Sequence, residues 1–568
     1  MAANYITALG VQQFSIKIGA AATSNTATIN AVGSGAFILF GGVNPSVANN
    51  PAEDFAYVTL TNSTTITATR NSSTGSPTVT GCIIDGDTTN LIKSVQYGTA
   101  TIANLASTGT AAITGVKNAN TAVHLLGWQS ANTTLSGINE YPIVTLSGTT
   151  VTATRVGTVG ALVVGFVVIE FQSSCLNQSV QNIAATSALS TTSYTAAVTS
   201  VVINNSISLY AGSNTAVVTT NVAEVKQYGS LTSSTVFTVN VNTAIANAKS
   251  YNCSIVEFKS GILKSAVQRS TTTLTAVKSN STTLSSVAIS NSGVSWLGNT
   301  TTATTAVLNQ AEGQAVLSTE QPIVVQDVFA TGSTSPVTVT PASTASGNAI
   351  LVAICAPNNS VAVTITGVTD NLSQTYTQNP SGASFRTTNN SAADIWYFPN
   401  TASGVTSISV SFTGTAASNI IVSALEVSNV ATSNIVDSSA VLNNGAATTS
   451  PVTGNITTTL SNDFIITSFA TAAGVTLSPV APYSIDTNTN ETVYGVPNVL
   501  FSGTGVTAKY SAASATYCAS VIAIKGLANN TVTISKQSAT STLVGSWEVF
   551  EFPAFVNTLN AIWFGAIA

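Results

Sequence analysis

The chain contains a single histidine, His124, in the apolar segment TAVHLLGW. A serine or cysteine nucleophile activated by an imidazole would have to use this residue. Its apolar neighbours follow a strand pattern, which favours a hydrogen-bonded core histidine over a general base. The sequence therefore excludes histidine-based catalysis and sites built from several histidines, and it predicts no catalytic residue, no cofactor and no metal site.

Carboxylates beside aromatic rings are the next candidates, because a sugar can stack its apolar face on a ring while an acid accepts its hydroxyl hydrogens. Asp394, Trp396 and Tyr397 in AADIWYFPN form such a cluster, preceded by Asp370 and Asn371 in VTDNLSQTY. We predict a glycan contact at Asp394, Trp396 and Tyr397. The alternative is an Asx turn at Asp370 followed by a strand whose aromatic rings fill a core.

Asp85 and Asp87, in IIDGDTTN, resemble the first half of a calcium loop. The later acidic ligand of such a loop is missing, so the segment is interpreted as a linker turn.

Charged residues also recur at fixed spacing. Arg70, Arg155 and Lys536 are each followed 15 residues later by an acid, namely Asp85, Glu170 and Glu551. In a hairpin these partners would not lie opposite each other. The sequence therefore predicts separate, repeated surface or inter-module contacts, each contributing about 0–1 kcal/mol if exposed pairs form.

The spacing reflects a tandem repeat. The dipeptide Val-Gln recurs with its glutamines at 12, 96, 181 and 268, at intervals of 84, 85 and 87 residues. The strand pattern TITATR or VTATR follows in the first two copies and returns in the fourth only as TVTISK, after an interruption of about 200 residues. We infer four modules, with a separate domain inserted into a loop of the fourth. The expected ranges are 1–89, 90–174, 175–261, 262–320 with 528–555, the insert 321–527, and an apolar tail 556–568.

Composition indicates the fold class. Only 6% of residues are charged, and Ser, Thr and Asn alternate with Val, Ile and Ala in short runs. This period of two is typical of half-buried strands, and almost no stretch has a helical period. We predict an all-β chain of four tandem antiparallel β-sandwich modules with a larger, jelly-roll-like β-sandwich inserted in the fourth.

The same composition limits the partners. The net charge is −5 and the basic residues are scattered, so nucleic-acid binding is not expected. The longest apolar run, GALVVGFVVI, is half of the ~20 residues that span a membrane, so no membrane partner is expected. The N-terminal MAANYITALGVQQF lacks the cationic and apolar regions of a signal peptide.

Cysteines and aromatic residues complete the candidates. Five cysteines are far apart and are expected to be buried thiols, with a disulfide between Cys355 and Cys518 as the alternative. The aromatic residue near the middle of each module is expected in a core or a shared interface; these residues are Phe40, Trp128, Tyr210 and Trp296. Phe555, Trp563 and Phe564, in the uncharged last 16 residues, are expected either to contact a partner subunit or to pack back on module 4.

Segments such as SVQYGTATI, TVTATR and VVIEF resemble repeats of tail-fibre and other virion surface proteins of tailed bacteriophages. The insert, with ILVAIC, VTDNLSQTYTQ and ADIWYFPNTASGVTSISVSFTGT, is similar to a β-sandwich module of bacterial and phage adhesion proteins. The resemblance implies a non-enzymatic structural virion protein, such as a tail fibre or spike that attaches to a host glycan. The expected assembly is a homo-oligomer, first of all a trimer, with other virion proteins as partners. Alternatives are a capsid decoration or head-fibre protein, a bacterial cell-surface or matrix protein, and, least favoured, a glycan depolymerase.

Overall fold

The computed structural model shows an all-β chain built from antiparallel sheets, which confirms the predicted fold class. It describes residues 8–553 except for gaps at 47–49, 188–189, 217–220, 246, 286, 304–306, 320–321, 357–362, 380–384, 387–390, 415–419, 459–462, 472–477, 480–483, 486–491, 496–502, 507–509, 512–514 and 528–529.

The chain divides into two compact units. Unit 1 comprises residues 1–318 and 529–568, and unit 2 comprises residues 319–528. Unit 2 begins and ends between two hydrogen-bonded strands, Gln314–Thr319 and Asn530–Ser535. The corresponding hairpin of module 1 turns through only two residues, Ser63 and Thr64. A hairpin tip is a position where inserted sequence leaves the surrounding ladder intact.

Unit 1 contains four modules with one strand order. In each module the sixth strand lies between the first and third, and the fifth lies between the second and fourth. Module 1 has β1 (Ala8–Lys17), β2 (Ser24–Thr28), β3 (Ala36–Asn44), β4 (Ala56–Asn62), β5 (Thr65–Arg70) and β6 (Thr78–Gly86), and module 2 has β7 (Ile92–Ile102), β8 (Thr108–Ala112), β9 (Thr121–Ser130), β10 (Ile143–Ser147), β11 (Thr150–Thr154) and β12 (Leu162–Phe171).

Modules 3 and 4 repeat this order, and short helices precede the third or fourth strands. Module 3 has β13 (Gln181–Ser187), β14 (Thr191–Ala197), β15 (Ser206–Thr215), β16 (Gln227–Ser233), β17 (Val236–Ile245) and β18 (Lys249–Glu257), and module 4 has β19 (Gln268–Leu274), β20 (Ser279–Thr283), β21 (Ser292–Thr301), β22 (Gln314–Thr319), β41 (Asn530–Ser535) and β42 (Leu543–Glu551). The helices are α1 (Pro51–Asp54), α2 (Gly137–Glu140) and α3 (Leu308–Ala311), with 3₁₀ turns at Asn118–Asn120, Ile203–Asn205, Val222–Glu224 and Ile289–Asn291.

The four modules close a ring of strand pairing. The fourth strand of each module pairs with the third strand of the next, and β22 of module 4 pairs with β3 of module 1. Every such link meets a third-strand glycine with positive φ at a β-bulge, a conformation that glycine adopts without steric cost. These glycines are Gly42, Gly127, Gly212 and Gly298.

The repeated glutamine fixes the loop between the second and third strands. In module 2 the Gln96 amide accepts from Thr114 N at 2.8 Å and donates to Thr114 O at 3.2 Å. Gln12, Gln181 and Gln268 form the same pair of bonds 17 or 18 residues ahead. An amide is needed because only an amide offers both a donor and an acceptor at this length.

The acid that ends each module holds the same loop. Glu170 accepts from Lys117 N at 3.1 Å, and Glu551 accepts from Ala288 N at 2.9 Å. Asp85 and Glu257 accept equivalent backbone protons from Gly33 and Val202. These acids therefore make contacts within their own modules. The contacts of Asp85 and Glu170 lie at the surface, as predicted, whereas Glu551 is buried, and the predicted inter-module role is wrong.

The repeated cations are buried. Arg70 and Arg155 are each 1% exposed, and their guanidinium groups donate to several backbone carbonyls of their own modules. Lys536, also 1% exposed, donates to Ser541. A guanidinium has five donors and can satisfy a cluster of carbonyls without a carboxylate. The prediction that these cations do not pair with the acids 15 residues ahead holds, but their predicted surface position is wrong.

Unit 2 consists of two sandwiches, in contrast to the single larger, jelly-roll-like sandwich predicted. The first has β23 (Ile323–Gly332), β24 (Val337–Val339), β25 (Ala349–Ala356), β26 (Thr364–Asp370), β27 (Thr377–Gln378), β28 (Phe385–Arg386), β29 (Ala392–Phe398), β30 (Ile408–Thr413) and β31 (Ile420–Ser428), and the second has β32 (Val436–Thr448), β33 (Ile456–Thr458), β34 (Phe464–Thr471), β35 (Ser478–Pro479), β36 (Ser484–Ile485), β37 (Thr492–Gly495), β38 (Gly503–Val506), β39 (Tyr510–Ser511) and β40 (Ala515–Ile524).

The first sandwich follows the module plan of unit 1. Its sheets run β23-β31-β25 and β24-β30-β26, which is the first-sixth-third and second-fifth-fourth order. Gln326 donates to Ala342 O at 3.0 Å, and Glu426 accepts from Ala345 N at 2.8 Å. Here β29 of the same sandwich covers the edge of β25, where a ring module receives its neighbour's fourth strand. In the second sandwich β37 covers the edge of β34 in the same way, so each sandwich closes its own central edge.

All five cysteines are buried thiols, as expected. Cys355 and Cys518 lie in one small apolar cluster between the two sandwiches of unit 2. In the described residues no helix is long and apolar enough to cross a membrane.

Candidate functional site

The centre of the ring in unit 1 brings together one residue from each module. The residue two positions before each inter-module link is Phe55, Tyr141, Lys226 or Glu312. All four are at most 9% exposed. The strand pairing therefore brings together four side chains that are distant in the sequence. We call these four residues the axial cluster.

The axial cluster combines ring contacts with one ion pair. Lys226 Nζ lies 2.6 Å from Glu312 Oε2 and 4.8 Å from the centre of the Tyr141 ring. The Tyr141 hydroxyl donates to Glu312 Oε1 at 3.0 Å, and its ring packs edge-on against Phe55 at 5.8 Å. Burial, reinforced by the Glu312 carboxylate, raises the pKa of Tyr141 well above its ordinary value. The phenol therefore remains a donor.

This geometry joins modules and leaves little room for a substrate. The free volume at the centre is about 30 Å³, enough for about one water molecule. Both Glu312 oxygens are used, one by Lys226 and one by Tyr141. A buried pair of this kind is costly to break, because removing one partner leaves an uncompensated charge. The cluster thus acts as an internal lock between modules 2, 3 and 4.

The predicted mid-module aromatics border the same centre. Phe40, Trp128, Tyr210 and Trp296 all line it, as expected for a shared interface. The four aromatic residues were expected at one shared position of the repeat, but only Phe40, Tyr210 and Trp296 share it. In module 2 that position is Leu125. Trp128 instead occupies the position of Val43, three residues on. It packs against Phe55 at 4.8 Å.

His124 joins three modules. Its Nε2 accepts from Phe40 N of module 1 at 3.0 Å, and its Nδ1 lies 2.8 Å from Tyr210 O of module 3. These partners require a neutral ring with its proton on Nδ1. Complete burial lowers the pKa of His124 from 6.5 to about 4. Both nitrogens are occupied, which agrees with the predicted core histidine.

A buried acid lies beside the axial cluster. Glu140 is 0% exposed and directly precedes Tyr141. Asn132 Nδ2 donates to its Oε1 at 2.5 Å, while Oε2 has no hydrogen-bond partner among the described residues. Burial raises the pKa of Glu140 to about 7, although Ser130, Asn132 and Arg155 favour its charged form.

Each pair of neighbouring modules is also joined by one side chain of a first strand. The position after the repeated glutamine donates to the carbonyl of the first residue of the preceding module's third strand. We call these contacts the clasps: Gln13 to Ser292 O at 3.1 Å, Tyr97 to Ala36 O at 3.1 Å, Asn182 to Thr121 O at 3.5 Å, and Arg269 to Ser206 O.

The predicted glycan contact is not assembled as one surface. Asp394 is 4% exposed, and one of its oxygens accepts from Gln378 Nε2 at 3.1 Å. Trp396 and Tyr397 are half-buried and pack against two different cores, because consecutive strand residues face opposite sides of a sheet. The three side chains therefore do not share one exposed surface, and a glycan contact by them stays a prediction.

The remaining candidates are turn residues. Asp370 Oδ1 accepts from Leu372 N at 2.9 Å and from Gln374 N at 3.0 Å, which is the alternative Asx turn. Asp87 Oδ1 accepts from Thr89 N at 2.8 Å, in keeping with a linker turn. The described residues contain no group of three or more His, Cys, Asp or Glu side chains able to hold a metal ion. Phe555, Trp563 and Phe564 lie outside the described residues.

The axial cluster was not predicted from the sequence. Its members follow the repeated glutamine by 43 to 45 residues, so their position was available from the repeat. Their types, however, are aromatic, phenolic, basic and acidic, and no shared residue type marks the position. Only the strand pairing brings them together.

Comparisons with known proteins identify no family. No protein-family model matches the chain, and no curated protein matches it. A structure of infectious bursal disease virus, Gx strain, aligns at 10% identity over 97% of this chain and 81% of that chain, with a TM-score of 0.07. A mutant VP2 protein of the same virus aligns at 9% identity over 99% and 82%, with a TM-score of 0.08. TM-scores this low carry no argument about fold or function.

Proposed function

We propose that this chain is a structural virion protein of a bacteriophage, of the tail-fibre or spike type, that contacts the host surface. The observation that carries the proposal is the architecture: four modules close on one another through paired strands, and a further unit is inserted at one hairpin tip. Such an arrangement provides a rigid base and one site for added sequence. The buried charged and polar side chains at the centre serve cohesion between modules.

The environment of the buried titratable side chains also supports a role without catalysis. The only histidine has both nitrogens engaged in backbone contacts at the ring centre. The Lys226 and Glu312 groups neutralise each other at 2.6 Å. A general acid or base needs access to a substrate proton, and these groups are buried.

Immunogold labelling of purified particles tests the proposal. Antibodies raised against the purified chain should label tails, and adsorption of the antibody with the same chain should abolish the label. Label confined to capsids would favour a capsid decoration or head-fibre protein instead. Label on bacterial surfaces with none on particles would overturn the virion assignment and favour a cell-surface or matrix protein.

Self-association is part of the same proposal. We expect a homo-oligomer, with a trimer as the first expectation, assembled with other virion proteins. The ring satisfies its modules within one chain, so association would use other surfaces, including the uncharged tail. Light scattering of the purified chain measures the subunit number, and a stable monomer would remove this part of the proposal.

A further inference from the structure

The junction between modules 2 and 3 contains open space. Between modules 2 and 3 a cavity of about 190 Å³ is lined by strands of both modules, including Val123, Val144, Asn182, Ala211 and Asn252. Its volume corresponds to roughly six water molecules, which is about the space of one sugar ring. The cavity lies where β10 meets β15 through a single residue pair, Ile143 with Gly212.

The cavity borders Ala211, a small residue at a repeat position that holds leucine in modules 2 and 4. Ala211 occupies the repeat position of Leu126 and Leu297. In module 1 the same position is Gly41, where an added Cβ would lie 2.8 Å from Ala315 O, so that junction is closed by backbone contact. The open space is therefore a local departure from the repeat.

The side chain that forms the clasp at this junction is also shorter than its counterparts in the other modules. Asn182 stands where module 2 has Tyr97 and module 4 has Arg269, and its 3.5 Å bond to Thr121 O is at the limit of a hydrogen bond. Ser254 donates to Asn182 Oδ1 at 2.6 Å, which leaves the Asn182 amide protons facing a weak acceptor. The half-buried Asn252 amide forms no side-chain hydrogen bond with the described residues.

The lining determines the class of ligand. Among the described residues that form the cavity, none carries a charge, which disfavours phosphates, carboxylates and cations. Two asparagine amides supply donors and acceptors, while Val123, Val144 and Ala211 provide an aliphatic wall. A neutral ring with hydroxyl groups on its rim and C–H groups on its face satisfies both parts.

We infer that the cavity between modules 2 and 3 binds one ring of a neutral saccharide. The inference deepens the proposed host-surface contact and rests on it for the source of the saccharide. The site belongs to unit 1 and is separate from the contact predicted at Asp394, Trp396 and Tyr397 in unit 2.

Ligand-observed saturation-transfer NMR on the full chain tests the site. The probes are glucose, galactose, mannose, rhamnose and N-acetylglucosamine as free monosaccharides. At least one should bind, and Ala211→Leu, which copies the residue of modules 2 and 4, should weaken its binding at least tenfold. Asn182→Tyr, which copies Tyr97 at an exposed position, should do the same even if Ala211→Leu disturbs folding. Ala197→Leu, the same change at an exposed residue outside the cavity, should bind as the unmodified chain does.

Absence of binding by all five sugars, or unchanged binding by both cavity-filling variants, would overturn the inference. Displacement of the sugar by inorganic phosphate would contradict the neutral class of ligand. The outcome is separable from that of particle labelling: sugar binding without labelled particles removes the virion assignment and keeps the site, whereas labelled particles without sugar binding remove the site alone.

Discussion

At the scale of single residues, His124 makes the ring sensitive to acid. Burial lowers the pKa of His124 from 6.5 to about 4. Between these pH values the imidazole is therefore protonated in the unfolded chain and neutral in the folded chain. Stability that is present above pH 6.5 is therefore lost as the pH falls toward 4, by about 3 kcal/mol. His124→Gln retains a donor and an acceptor and does not titrate. We expect the free energy of unfolding, measured with urea, to decrease less for this variant than for the unmodified chain between pH 6.5 and 4.

Glu140 acts in the opposite direction. Its pKa rises from 4.5 to about 7 on folding, so the folded chain holds a proton that the unfolded chain releases. Its contribution is intact below pH 4.5 and is lost as the pH rises through 7, on the order of 2–4 kcal/mol. Glu140→Gln should be more stable than the unmodified chain at pH 8 and equal to it near pH 4. Equal stability at pH 8 would show that the carboxyl is not held in its neutral form.

The buried ion pair gives a third prediction. Lys226→Met leaves Glu312 charged and unpaired at the ring centre, and should cost about 3–5 kcal/mol. The double variant Lys226→Met with Glu312→Gln removes both charges, keeps an oxygen that accepts from the Tyr141 hydroxyl, and should recover most of that loss. Thermal unfolding of the two variants measures the difference. If the single variant is as stable as the double one, the pair does not lock the modules.

At the scale of elements, the third-strand glycine controls the link between modules. Gly127 has φ +85°, and an added Cβ would lie 2.3 Å from Ala56 O of module 1. Gly127→Ala therefore combines backbone strain with a clash, and we expect a loss well above the ~1–2 kcal/mol of strain alone. Gly148→Ala is the matched control, since its φ is +59° and nothing lies within 4 Å of an added Cβ. Equal losses on chemical denaturation would show that the link tolerates a side chain.

The repeat could be predicted from the sequence because one residue type makes the same pair of hydrogen bonds in each module. A glutamine that bridges a loop N–H and C=O cannot be exchanged for an apolar residue, so Gln12, Gln96, Gln181 and Gln268 remained visible. The all-β class followed from the alternation of apolar and hydroxyl residues for a similar reason. Strand alternation is a local property and survives in each module.

Contacts between modules could not be predicted in the same way, because different side chains can donate the same hydrogen bond. Gln13, Tyr97, Asn182 and Arg269 all donate to an equivalent carbonyl, although they differ in size and charge. The predicted grouping of Trp396 with Tyr397 was not met for a related reason, since these residues are adjacent in the sequence but face different cores. Proximity along a strand does not place side chains on one surface.

At the scale of the whole molecule, the modules differ in how they cover one strand edge. In the ring, the third strand receives the neighbour's fourth strand, as β9 receives β4. In unit 2, β25 receives β29 from its own sandwich, and β34 receives β37. An uncovered edge would invite pairing with other chains. The two solutions explain why ring modules need their neighbours, whereas the sandwiches of unit 2 suit insertion as an independent body.

This difference predicts that unit 1 folds without unit 2. Replacing residues 320–529 by a Gly-Ser turn would give module 4 the two-residue hairpin that joins β4 to β5 in module 1. The entropy of closing a loop changes by only about 0.6 kcal/mol per doubling of its length, so removal of the insert should have little effect on the ring. We expect a soluble protein with one cooperative thermal transition. Truncation of the deletion variant directly after the Gly-Ser turn is the control, since it removes β41 and β42 and should abolish that transition. An aggregated deletion variant would show instead that unit 1 depends on the insert.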